Sequence, residues 1–282
     1  MAWETILYEK SEEIATITLN RPEKRNAQNM RLISELDEAC KEAERDPDVR
    51  VIIMRGAGPC FSAGHDLSHW SKPASEIDDI MDVAAVRAGA EGRTRHEQEM
   101  YYDKCLAIRN LSKPTIAQVH GHCIAAGMML AAMCDIIYAS EDATFSNPVV
   151  RMAAASAEIL FEPWDLGPRQ AKELLFAADT LSAQDACRLG FVNKVVPRES
   201  LEGEVMALAR KIALTPPVAV SLTKASINRT MDVMGQTNSW QQHFIVHQLA
   251  HSTEEARQFE QSRKQAGKLK EQLKYQKGDF AS

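Results

Sequence analysis

The chain has 282 residues, 45% of them apolar and 26% charged, the composition of a soluble globular protein with enough apolar material for one large or two ordinary domains. A net charge of −6 argues against a general nucleic-acid binder, so an anionic ligand would need a local basic patch. The start, MAWETILYEKSEE, has acids where a signal peptide needs basic residues and an apolar run, and no transmembrane segment is expected. The six cysteines (40, 60, 105, 123, 134, 187) lack CxxC spacing, so they read as reduced core residues in a cytoplasmic protein.

In chain order, Glu13 to Leu19 alternates as a strand that NRP ends, because Pro22 cannot continue a ladder. Met30, Leu32, Ile33, Leu36 and Ala39 then fall at helical spacing, and Asp46-Pro47 stops that helix. Val49 to Met54 predicts a strand buried on both faces, running into the glycine-punctuated loop RGAGPCFSAGHDLSHW. Residues 71–92 are polar, acidic and rich in small side chains, which predicts a mobile surface excursion. Thr94 to Leu111 returns to helical period.

The central unit is KPTIAQVHGHCIAAGMMLAAMCD (113–135). Pro114 favours an extended entry, Thr115 to Val119 predicts a buried strand, and Gly121 breaks it. The apolar run Cys123 to Cys134 is too short to span a bilayer and long enough for a helix buried on all sides. Unpaired N–H groups at such a helix start can bind an anion or a developing oxyanion, although the same run also fits a plain buried helix behind a tight turn. Strands at Ile136 to Ala139 and Ala143 to Phe145 follow, then helices at Gln170 to Ala178 and Ala183 to Leu189 and a strand at Phe191 to Val196 that Pro197 closes. From Leu201 to Gly267 nearly everything permits helix, with breaks at Thr215-Pro216-Pro217 and near Gly235, and the basic tail is expected to fray.

Two glycine turns, GPCFSAGHDL (58–67) and VHGHCIAAGMM (119–129), each follow a strand and lead toward a helix. Brought together, their N–H groups would form an oxyanion hole worth roughly 3–4 kcal/mol per donor to a thioester oxyanion or enolate. These turns, with NRPEKRNA (20–27), ATFSNP (143–148) and LLFAADTLSAQDACRLGFVNKVVP (174–197), resemble the crotonase, or enoyl-CoA hydratase/isomerase, superfamily over nearly the whole chain. The resemblance implies an α/β fold, a spiral of ββα units at 1–197 followed by a helical trimerisation region at 198–282. It also implies a homotrimer or homohexamer, and an acyl-CoA or enoyl-CoA substrate with no permanently bound cofactor: coenzyme A enters as part of the thioester.

Residue by residue, the resemblance puts the oxyanion donors on the N–H groups of His65 and Ala126, and a coenzyme A site along Lys24, Arg25 and Ala27, then Ala63, Asp66 and Leu67. Lysine and arginine suit nucleotide phosphates, although Lys24 and Arg25 would also serve as a solvated pair at a helix start. Hydratases of this family carry two glutamates that hold the water and shuttle its proton; the corresponding positions here are Met129 and Val149, which cannot transfer a proton. Both replacements are expected to make the acyl pocket drier and roomier. The excursion after residue 70, together with Trp70, Tyr101 and Tyr102, is expected to shape it.

One carboxylate could replace the pair. Isomerases and dehalogenases of the superfamily place one carboxylate at a later turn, which the resemblance lands on Ala157 or Glu158; Glu158, in the apolar setting AAASAEILF that would raise its pKa, is the first choice, with Glu162 and Asp165 as further options, and its alternative is a helix-start glutamate beside a dipole. The pairs His65/His69 and His120/His122 could also converge on a thioester. His243, His247 and His251 fall on one helix face at metal-binding spacing, but a solvated or interface stripe is the commoner cause, and no metal ligand is assigned. The expected function is therefore an isomerase-like or atypical hydratase reaction on an acyl-CoA thioester. A non-catalytic acyl-CoA binder, or a thioester hydrolase or C–C bond enzyme, is the alternative.

Overall fold

The computed structural model describes residues 3–68 and 89–266. His69, Trp70 and most of the excursion expected at 71–92 lie outside them. The first two strands, β1 (Ile6–Ser11) and β2 (Ile14–Leu19), form a hairpin; helix α1 (Met30–Arg45) and strand β3 (Val51–Gly56) follow. The side chain of Asn29 caps α1 by accepting from the Leu32 N–H at 3.0 Å. Helix α2 (Ala90–Glu97) continues through a π-helical stretch, Gln98–Asp103, into α3 (Lys104–Arg109).

The central unit is β4 (Thr115–Val119), β5 (His122–Ile124) and α4 (Ala126–Ala132). It is followed by β6 (Ile136–Ser140), β7 (Thr144–Ser146), the single turn α5 (Glu162–Asp165) and α6 (Pro168–Ala177). Strand β8 (Thr180–Ser182), α7 (Ala183–Leu189) and β9 (Lys194–Val196) complete the β-rich part. Four helices end the described chain: α8 (Arg198–Ala213), α9 (Pro217–Val233), α10 (Gln236–His251) and α11 (Glu254–Ala266).

The strands divide between two sheets. One has the order β1-β2-β3-β4-β6-β9, parallel from β2 onward; the other is β5-β7-β8. In the middle of the chain β4 and β6 join the larger sheet while the strands that follow them, β5 and β7, join the smaller, the alternation of a ββα spiral. In β2, β3 and β4 alternate side chains enter opposite cores, as strand geometry requires. Ala15, Ile17, Ile52, Met54 and Ala117 face the main core, whereas Ile14, Val51, Ile53 and Ile116 meet Leu201, Val205 and Ala209 of α8. Covering on both faces is why these parallel strands read as continuous apolar runs.

Two expectations need correction. The run Cys123 to Cys134 is not one helix: His122–Ile124 pairs with Thr144–Ser146 as a strand, and the helix covers only Ala126–Ala132. Pairing across sheets decides the conformation there, which an apolar run cannot reveal. The strand expected at Phe191 to Val196 shortens to Lys194–Val196, because Asn193 turns to exchange hydrogen bonds with Ile137. Strand β1 went unread because its polar outer positions belong to a sheet edge. The six cysteines are all free, five of them buried.

No single helix among the described residues is long and apolar enough to cross a membrane. Helices α9 and α10 do expose large apolar side chains, among them Val218, Leu222, Ile245, Val246 and Leu249.

The segment between β7 and α5 is pinned by a buried polar cluster. Asn147 Nδ2 donates to Glu162 Oε1 at 2.6 Å and to Ser156 Oγ at 2.9 Å, while Glu162 Oε2 is buried without a partner. Burial pushes the Glu162 carboxyl from 4.5 up to about 7. A group whose pKa rises on folding gives stability that is complete below its unfolded pKa and is lost as pH climbs through the folded one. The melting temperature should therefore fall between about pH 5 and about pH 8, with Glu162 contributing at most about 3 kcal/mol to the change. Glu162→Gln, which keeps an acceptor for Asn147, should flatten that part of the curve; parallel melting curves for variant and parent would refute the assignment.

Candidate active site

The two glycine turns do meet. Ser62 N donates to His122 O at 3.1 Å and Ile124 N to Ser62 O at 2.9 Å, so the first turn pairs with β5 as an added strand. Missing side chains permit this approach. A Cβ on Gly127 would lie 2.6 Å from Ser62 O, and one on Gly64, whose φ is +86°, would lie 2.7 Å from Ile124 O and 3.3 Å from Ala126 N. Ala125, immediately before the second donor, sits at φ 48°, ψ −113°, a region costly for any residue with a Cβ. Its own N–H is held by Ser146 O at 2.8 Å.

Among the described residues, neither the His65 nor the Ala126 N–H donates to a protein acceptor. Ala126 opens α4, where no intrahelical partner exists. Both predicted donors are thus on adjoining turns with their hydrogens unspent, the arrangement that can receive a developing oxyanion.

The segment 20–28 holds the first turn from the other side. Asn26 Nδ2 donates to the carbonyls of Ala57, Cys60 and Phe61; Gln28 Nε2 donates to Ser62 Oγ and to Ala126 O, both at 3.2 Å. Asn26, Gln28 and Ser62 are supporting residues that the sequence reading passed over. Their signal was polar side chains inside motifs whose neighbours are buried.

Of the predicted coenzyme A residues, Lys24 and Arg25 are exposed and form no ion pair among the described residues. Arg25 O accepts from Ala63 N at 2.9 Å, so these two stretches lie side by side. Ala27 and Leu67 are half-buried nearby. Asp66 is committed internally: Arg21 Nη1 reaches its Oδ2 at 3.0 Å and Ser68 N its Oδ1 at 3.0 Å. Burial raises its pKa, but Ser68 and Arg21 outweigh that and hold the carboxyl below its ordinary value.

A cavity of about 70 Å³ lies beside the turns, lined by His65, Tyr101, Cys105, Ile108, Met129 and Leu130 among others. Its lining also includes Asp37, Lys41 and Lys104, with both lysines paired to Asp37 at 2.9 and 2.6 Å. The expected dry pocket therefore holds around Met129 but not over the whole lining. Val149 is buried outside that lining, and Tyr102 packs against Phe244 at 5.3 Å between ring centroids.

The ring of His65 stacks on Tyr101, centroids 3.8 Å apart, and its Nε2 lies 3.3 Å from Glu158 Oε2. Its Nδ1 is buried without a partner among the described residues. Glu158 is buried behind His65 and does not line the cavity. The expectation that an apolar setting raises its pKa is overturned. Burial does press upward, but His65, together with His247 at 3.9 Å, outweighs it and keeps the carboxyl well below its usual range. Glu162 and Asp165, the further options, are not in the lining either.

His120 and His122 do not converge on the site. His120 Nε2 is 3.0 Å from Gly58 O, and His122 Nδ1 is 2.9 Å from Thr144 Oγ1. The stripe on α10 is not solvated: His243 and His247 are buried against the carbonyls of Ala157 and Ser156, at 2.8 and 2.9 Å.

The chain matches the family model described as enoyl-CoA hydratase/isomerase over residues 9–276. It is 42% identical over 266 residues to the Mycobacterium tuberculosis protein named "Putative enoyl-CoA hydratase EchA13", covering 89% of this chain and 81% of that one. It is 34% identical to the crotonyl-CoA hydratase of Syntrophomonas wolfei, covering 82% and 84%. A solved enoyl-CoA hydratase/isomerase from Xanthobacter autotrophicus Py2 superposes with a TM-score of 0.88 at 30% identity, over 100% of both chains. With its two sheets, its adjoining glycine turns and these likenesses, the chain belongs to the enoyl-CoA hydratase/isomerase family, within the crotonase superfamily.

Proposed function

We propose that the protein binds an enoyl-CoA thioester across the two glycine turns and moves a proton beside the thioester carbonyl, in the manner of a double-bond isomerase. The observation that carries this reading is the state of His65. Its N–H is one unspent donor, and its ring holds Nε2 against a carboxylate while Nδ1, the ring nitrogen nearer the main chain, is buried with no hydrogen bond among the described residues. A carboxylate at Nε2 favours the tautomer with the proton there, leaving the Nδ1 lone pair as a base.

The sequence of bonds follows from that geometry. Once a bound 3-enoyl-CoA opens the cavity to the buried Nδ1 of His65, that nitrogen takes a proton from C2, and the C–H electron pair moves into a dienolate. The dienolate oxygen accepts from the N–H groups of His65 and Ala126. The imidazolium, facing Glu158, returns the proton to C4, giving the conjugated 2-enoyl thioester without water. Glu158 thus positions and stabilises the ring rather than touching substrate. Met129 beside the ring, and Val149, stand where hydratases of the family keep their glutamates, and neither can hold a catalytic water. Lys24 and Arg25 would meet the nucleotide phosphates, with Ala27, Ala63 and Leu67 shaping the path. The names of the relatives favour hydration by an unusual acid/base set as the second reading.

Helices from residue 198 onward would provide the assembly surface of a homotrimer or a pair of trimers. Support comes from the large apolar side chains exposed on α9 and α10, which a partner chain would cover. The buried free thiols suit a cytoplasmic setting.

Absorbance of the conjugated thioester separates the readings. A 3-enoyl-CoA should gain conjugation; loss of conjugation from a 2-enoyl-CoA by water addition would replace isomerisation with hydration. No change in either, with coenzyme A bound, would favour a carrier. His65→Gln and Glu158→Gln should each lower kcat by about 10²- to 10⁴-fold while coenzyme A affinity stays within a few-fold. Full activity in Glu158→Gln would remove the dyad from the mechanism. Light scattering should return three or six chain masses, and a monomer would exclude the assembly.

A further inference from the structure

Behind Glu158 lies a second cluster that the proposed reaction does not use. Glu97 Oε2, at the end of α2, is 3.4 Å from His247 Nε2 and 3.8 Å from His251 Nε2; the two Nε2 atoms, one helical turn apart on α10, are 3.0 Å from each other. Three separations of this size leave a point about 2 Å from every atom, the length of a zinc–imidazole or zinc–carboxylate bond. Two imidazole lone pairs at 3.0 Å repel unless a proton or a cation stands between them.

The surroundings are those of a built ligand set. Nδ1 of His247 faces the carbonyl of Ser156 at 2.9 Å and can only donate there, which frees Nε2 as a ligand. Glu97 Oε2 accepts from Gln248 Nε2 at 2.6 Å, and Gln248 Oε1 accepts from Thr94 Oγ1 at 3.1 Å. Glu97 and His247 are each 3% exposed, whereas a quarter of the His251 side chain reaches solvent and gives an ion a way in. The third histidine of the stripe does not join, because its Nε2 is spent on Ala157 O. None of the three ligands lines the cavity beside His65.

We propose that Glu97, His247 and His251 form a binding site for one divalent transition-metal ion of the zinc or cobalt class. Two imidazoles and one carboxylate suit that class and not calcium or magnesium, which want oxygen donors throughout. Glu158 Oε1 lies 3.9 Å from His247 Nε2, so its carboxylate borders the cluster. The ion would tie α2 to α10 and set the orientation of Glu158 from behind, as a positioning centre that touches no substrate.

The test uses the full chain, stripped with a chelator and titrated with Co²⁺ alone while its visible d–d absorption is followed, then displaced with Zn²⁺. One equivalent per chain should bind with a d–d band. His251→Ala and Glu97→Gln should each weaken binding about ten-fold or more, whereas His122→Ala, an exposed histidine outside the cluster, should leave it unchanged. Far-UV circular dichroism of the metal-free variants checks that they fold. Absence of the band, or affinities unaltered in both folded variants, would overturn the site and leave a proton-sharing histidine pair. The readout needs no substrate, so it stands apart from the reaction proposed above.

Discussion

The whole site depends on one close approach, main chain against main chain, between the turn at 58–67 and the strand and helix start at 122–127. Hydrogen bonds at Ser62 draw them together, and the bare Cα atoms of Gly64 and Gly127 leave room for it. A methyl at either position would contact backbone, which cannot rotate away as a side chain can. The approach buries several carbonyls that would cost about 1–3 kcal/mol each if left unpaired. Asn26 alone takes up three of them, and Gln28 takes the carbonyl of Ala126. The motif at 20–28 is therefore a clamp for the turns, whatever ligand passes it.

The larger sheet brings β3 and β4 side by side in parallel, so their C-terminal ends deliver the two turns at the same edge. The π-helical stretch at 98–103 then re-aims the helix that covers them. The i→i+5 hydrogen bonds of a π-helix shift side chains relative to an α-helix and occur often at functional sites. Here Tyr101 lies on the His65 ring while Glu97, just before the shift, is turned toward α10. One local irregularity thus serves both the cavity wall and the polar cluster behind it.

Much of this was legible in the residues. Strand β4, helix α7 and the two glycine turns follow from Pro, Gly and apolar runs, and they occupy the expected positions. The split of 122–132 into strand and helix was not legible, because only a partner strand tells His122–Ile124 to extend. The pKa of Glu158 runs opposite to the sequence expectation for a related reason. Its sequence neighbours are apolar, but the groups that control it, His65 and His247, lie 93 and 89 positions away in the chain and arrive through the fold. The histidine stripe was visible as a pattern, but the carboxylate it meets, Glu97, comes from another helix.

Helix α10 has two opposed faces. Inward, it sets His243 and His247 against the carbonyls of residues 156 and 157, just before Glu158; outward, it carries Ile245, Val246 and Leu249. Those faces share one rigid rod, so whatever covers the outer side chains also presses on the support of the dyad. A partner seated on the outer side chains would therefore bear, with no intervening loop, on the carbonyls that lead into Glu158 and its contact with His65.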